Sequence, residues 1–95
     1  MFFRETYKLH DQFIRDNKFN IDFFVSKTIE INKDDFYSFT ITSSKNLNKY
    51  IQLSASKDYI FIDFFTIEGN LKESKKYNNN YEEIKEIIFY SFHNC

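Results

Sequence analysis

The stretch YIQLSASKDYIFIDFF, residues Tyr50 to Phe65, decides the fold. With Lys57-Asp58 as a two-residue turn, Ala55 faces Ile60, Leu53 faces Ile62, and Ile51 faces Phe64. The alternate positions pair Ser56 with Tyr59, Ser54 with Phe61, Gln52 with Asp63, and Tyr50 with Phe65. One face is then wholly apolar, and the other mixes aromatic, hydroxyl, amide and carboxylate groups. Side chains alternate along a strand, so a slip of one residue would destroy this segregation. The pattern predicts an antiparallel hairpin in this register.

The same period extends toward the N-terminus. Tyr37, Phe39 and Ile41 share parity, and carrying the register across pairs Ile41 with Ile51, Phe39 with Leu53, and Tyr37 with Ala55. Thr42, Thr40 and Ser38 then fall beside Tyr50, Gln52 and Ser54. A further run places Phe23, Val25, Ile29 and Ile31 on one parity, with Lys33-Asp34-Asp35 and Ser43 to Asn48 as turns.

Both ends of the chain change to helical spacing. From Phe3 to about Asn17, Phe3, Tyr7 and Ile14 form a stripe with Leu9 and Phe13 beside it. Arg4, Glu5, Lys8, Asp11 and Arg15 lie outside that stripe, as in an amphipathic helix. At the other end Tyr81, Ile84, Ile87, Ile88 and Phe92 share a helix face, Asn80 precedes them, and Glu83 stands three residues beyond it. That arrangement imitates a capping box, and Glu82 and Glu83 suit the positive end of the helix dipole. The lysines Lys72, Lys75 and Lys76 read as a solvated stretch before this helix. The expected fold is therefore one α+β domain over residues 1–95, in the order α-β-β-β-β-α. Its four-stranded antiparallel meander carries both terminal helices on one face.

Composition narrows the chemistry. The chain has 95 residues, a formal net charge of -1, one glycine, one cysteine, no proline and 21% aromatic residues. Phosphate-cradling loops need several glycines so that backbone N–H groups can approach the phosphate. One cysteine excludes an intrachain disulfide and every multi-cysteine zinc pattern. Arg4 and Glu5 interrupt any apolar leader after Met1, and the apolar run Tyr59 to Ile62 is far short of a membrane span. These features predict a cytoplasmic protein with no cofactor and no metal. Basic and acidic residues nearly balance and no RNA-binding aromatic motif is present, so no nucleic-acid partner is expected. Phe, Tyr, Ile, Asn and Lys make up more than half of the chain. Their codons are AT-rich, which points to a bacterial source and explains part of the aromatic surplus.

The candidate site is the polar face of the central hairpin. Tyr50, Tyr59, Phe61 and Phe65 ring Gln52 and Asp63, the arrangement of aromatic anchors around polar atoms common at protein interfaces. Glu82, Glu83 and Glu86 form an acidic side on the last helix, suited to a basic partner. No catalytic residues are expected: no second acid or histidine stands beside Asp63, His10 and His93 lack a third ligand, and the pair His93 and Cys95 sits at a chain end. The leading expectation is a small bacterial inhibitor of the immunity or antitoxin type. It would not be an enzyme and would neutralise a partner protein, such as a toxin, by surface complementarity. One rival is a ligand-binding or enzymatic domain with a pocket around Asp63 and the tyrosines. The other is a homodimeric structural module that buries its aromatic sheet face against a second copy.

Overall fold

A computed structural model describes residues 2–30 and 36–93 of the chain. Helix α1 (Phe2–Arg15) and a 3-10 turn (Phe19–Ile21) lead into strands β1 (Phe23–Glu30), β2 (Phe36–Ser43), β3 (Asn46–Ala55), β4 (Tyr59–Thr66) and β5 (Leu71–Asn78), followed by helix α2 (Tyr81–His93). The strands form one antiparallel sheet in chain order. The fold is α+β with a meander between two helices, and the strand count corrects the sequence expectation from four to five. Residues 31–35, which include the expected Lys33-Asp34-Asp35 turn and Ile31, lie outside the described residues, as do Cys95 and the side chains of Phe3, Ile29 and Tyr37.

The central hairpin forms in the expected register. Ala55 pairs with Ile60, Leu53 with Ile62, Ile51 with Phe64, Gln52 with Asp63 and Tyr50 with Phe65. The Ser56 N–H donates to the Tyr59 carbonyl at 2.8 Å and closes the turn. Phe39 pairs with Leu53 and Ile41 with Ile51 across β2 and β3. Ala55 differs from expectation at the end of that ladder: its N–H donates to the Thr6 hydroxyl at 2.9 Å, and the hydroxyl donates to its carbonyl at 3.3 Å. One buried threonine thereby satisfies both backbone groups at a strand end, where an unmet pair would be costly. The β2–β3 connection is also tighter than Ser43 to Asn48, since only Ser44 and Lys45 lie between the strands.

Strand β5 is the element missing from the sequence reading, and Gly69 marks where it begins. Gly69 has φ 94°, a conformation that favours glycine, within the turn after β4. Its N–H donates to the Thr66 carbonyl, and the Thr66 N–H reaches the Asn70 carbonyl. The strand itself carries only Leu71 and Tyr77 as large apolar residues among lysine, glutamate, serine and asparagine, so its local strand preference is weak. Backbone pairing along β4, from Tyr59 opposite Asn78 to Phe65 opposite Leu71, holds it in place. Charged residues also suit an outermost strand, because they discourage further pairing along its free edge.

The buried stripe of α1 is Thr6, Leu9, His10 and Phe13, at the i, i+3, i+4 and i+7 spacing of one helix face. Tyr7 and Ile14, expected inside, are about half exposed. Phe13 anchors an aromatic chain that joins four elements. Its ring lies 4.7 Å from Phe19 and 4.8 Å from Tyr81, Phe19 stacks on Phe23 at 4.5 Å, and Phe23 meets Phe89 at 5.0 Å. Beneath them Phe39, Ile41, Ile51, Leu53, Ile60 and Ile62 are wholly excluded from solvent. Asn20 closes the end of α1: its side-chain N–H groups donate to the carbonyls of Phe13, Ile14 and Asp16, and its backbone N–H also donates to the Asp16 carbonyl. At the start of α2 the Glu83 N–H donates to Asn80 Oδ1 at 3.2 Å, the expected cap.

Candidate functional site

Both helices pack on the face that carries Ile51, Leu53, Ile60 and Ile62, and among the described residues no element covers the other face of the sheet. Alternation places there the six expected sheet residues Tyr50, Gln52, Tyr59, Phe61, Asp63 and Phe65. Cross-strand pairing orders them into rows. One row runs across all five strands as Ser26, Thr40, Gln52, Asp63 and Ser74. It consists of short polar groups, with the Asp63 carboxylate as its only charge.

Apolar groups border this row on both sides. On one side the Tyr50 and Phe65 rings stack with centroids 5.0 Å apart and planes within 8°. Leu71, opposite Phe65, extends the stack onto β5 and is 56% exposed. On the other side Phe61 stands between Ser54 and Lys76. The Lys76 ammonium sits 4.4 Å from the centre of the Tyr59 ring, a cation–π contact that ties β5 to β4 at the rim. Asp63 is half-buried between these borders, and among the described residues no hydrogen bond or ion pair involves its carboxylate.

The expected acidic residues lie on the opposite side of the sheet. Glu82 approaches Lys85 at 3.5 Å, and Lys85 in turn binds Asp16 at 3.0 Å. That pair pins α2 to α1: Asp16 also accepts from the Tyr81 hydroxyl at 2.9 Å and from the Phe19 N–H. The Lys85 ammonium, with the Tyr81 and Phe19 donors, holds the Asp16 carboxyl down at about 2. Lys85 is shifted up by the same contact, and burial raises the Tyr81 hydroxyl. Glu83 and Glu86 line a groove of about 780 Å³ between α2 and the β4–β5 hairpin. This groove opens on the helix side of the sheet, across from Asp63, with Phe65 among its lining residues.

The lysines read as a loop belong to β5 and alternate between the two sides. Lys76 faces the open side opposite Phe61, whereas Lys75 lies opposite Ile62 on the helix side, with Lys72 at the mouth of the groove. Gly69, followed by alternating Glu73, Lys75 and Tyr77, was the available signal for this strand. The histidines occupy separate packing sites. His10 stands edge-on to Phe39 at 5.1 Å, and His93 is exposed beside Phe89 at 6.0 Å. Burial, with a smaller contribution from Lys27, lowers the His10 pKa, which Asp11 partly offsets. Among the described residues no helix is long and apolar enough to cross a membrane. Comparison with protein-family models, curated proteins and solved structures finds no match for the chain.

Proposed function

We propose that this chain is a protein-binding domain that holds one partner on the open face of its sheet, as an inhibitor of the immunity or antitoxin type, without catalysis of its own. The observation that carries this reading is Asp63: a half-buried carboxylate, without a counter-charge among the described residues, inside a border of Tyr50, Phe65, Phe61 and Tyr59. A partner's arginine or lysine placed there would make a charge-assisted hydrogen bond, while the surrounding rings exclude water from it. Gln52 and the hydroxyls of Thr40 and Ser74 supply further donors and acceptors along the same row. A flat face of this kind blocks a partner by covering it. A single cysteine suits a reducing compartment, so the cytoplasm is the proposed site of action.

The test is retention of a partner from a candidate host lysate by the immobilised chain and three variants. Wild type and Glu83→Lys are expected to retain the same protein, whereas Asp63→Lys and Phe61→Ala lose it while keeping the wild-type circular dichroism spectrum. Retention by all four sinks the proposal, as does turnover of a small molecule by the wild type. A symmetric dimer that occludes Phe61 and Phe65 and competes with capture would replace it with the structural-module reading.

A further inference from the structure

The helical layer leaves part of the helix-facing side of the sheet open beside β5. Helix α1 packs over β2 and β3, α2 lies beside it, and the layer ends short of β5. The space left is the 780 Å³ groove, which has α2 as one wall and the helix-facing side of β5 as the other. Half-buried Phe64, Tyr77 and Ile87 form its floor.

The two walls differ in charge. On α2, Glu83, Glu86, Ile87 and Tyr90 form an i, i+3, i+4, i+7 stripe facing the groove, so this wall is acidic. Across the floor the strand wall carries Lys72, Glu73 and Lys75; Glu73 lies 3.6 Å from Lys75, so the wall is net basic through Lys72. The charged groups stand on the walls and the floor is apolar. An occupant must therefore present an apolar stripe flanked by charges of opposite sign. The wall formed by α2 is 13 residues long, or about 20 Å, enough to accompany three to four helical turns.

We propose that this groove docks an amphipathic helix of a partner protein, with its apolar stripe on Phe64, Tyr77 and Ile87, a basic flank along Glu83 and Glu86, and an acidic flank along Lys72 and Lys75. Such a helix would extend the α-layer over the outermost strand, which is the groove-binding mode of peptide recognition. The site is independent of Asp63, because it lies on the other side of the sheet.

Three designed 14-residue helical peptides test this against the isotope-labelled full chain by NMR titration. All carry leucines at i, i+3, i+4, i+7 and i+11; one has a lysine flank and a glutamate flank, one only lysines, one only glutamates. The mixed peptide is expected to bind about five- to tenfold more tightly than either of the others, with shifts at Phe64, Tyr77 and Ile87. In the folded double variant Glu83→Lys/Glu86→Lys, preference should pass to the all-glutamate peptide. Equal affinities, shifts centred on Phe61 and Asp63, or an unchanged preference in the double variant would overturn the assignment. So would concentration-dependent dimerisation that closes the groove.

Discussion

The two faces of the β3–β4 hairpin share the same two strands, yet they do different work. Ile51, Leu53, Ile60 and Ile62 are excluded from water beneath the helices, whereas Tyr50, Gln52, Phe61, Asp63 and Phe65, on the alternate positions, are only partly buried. The covered face is apolar throughout and has the packing of a core. The open face mixes ring stacks with a carboxylate, an amide and hydroxyls, and it lacks the covering layer that would make those polar groups costly. Aromatic content alone therefore does not indicate a core: Phe39 and Phe61 are the same residue type in opposite roles.

Truncation of those two phenylalanines offers the largest contrast. Phe39→Ala removes a wholly buried ring that touches His10 and Phe13, and urea unfolding should show a loss of roughly 3–5 kcal/mol. Phe61→Ala should cost clearly less, about 1–2 kcal/mol, because its ring is only partly buried. Equal losses would mean that a second copy or a tightly held partner covers the open face in the sample.

The two aspartates extend the comparison to charge. Asp16 binds Lys85, Tyr81 and the Phe19 N–H where α1 meets α2, so Asp16→Ala should destabilise by roughly 1–2 kcal/mol. Asp63→Ala should fall within about 0.5 kcal/mol of wild type, since no described residue bonds or pairs with its carboxylate. The native Asp16 carboxyl titrates near 2, below its unfolded value of 3.8. Its contribution is therefore present above about pH 4 and lost as pH falls toward 2, a loss that chemical denaturation should show in the wild type and not in Asp16→Ala.

The smallest expected effect comes from His10, whose native pKa lies below 6.5. The unfolded chain then binds this proton more readily, so the contribution is complete above pH 6.5 and declines as pH falls below it. His10→Gln should flatten that part of the stability profile; an unchanged slope between pH 5 and 7 would place its origin elsewhere.

Sequence periodicity was informative where one side of an element met the core. The β3–β4 register, the β2–β3 pairing at Phe39, Thr40 and Ile41, and the Asn80 cap were legible, because each depends on neighbours in sequence or on strict alternation. In α1 the buried stripe carried Thr6 and His10 instead of Tyr7 and Ile14. A threonine whose hydroxyl serves the Ala55 backbone counts as polar in any reading of hydrophobic spacing. Strand β5 was hidden for a related reason: its residues favour no strand, and only the edge of β4 gives them one.

By itself the sequence determined the faces of the central hairpin, the two helices, and the grouping of Tyr50, Gln52, Phe61, Asp63 and Phe65 on one side. These follow from local period, and local period is written residue by residue. Tertiary structure alone decided that the acidic residues of α2 stand across the sheet from Asp63, and that a charged segment becomes a fifth strand. It also decided that the helical layer stops short of that strand and leaves a groove. These outcomes depend on how elements distant in sequence pack, and no single segment carries that information.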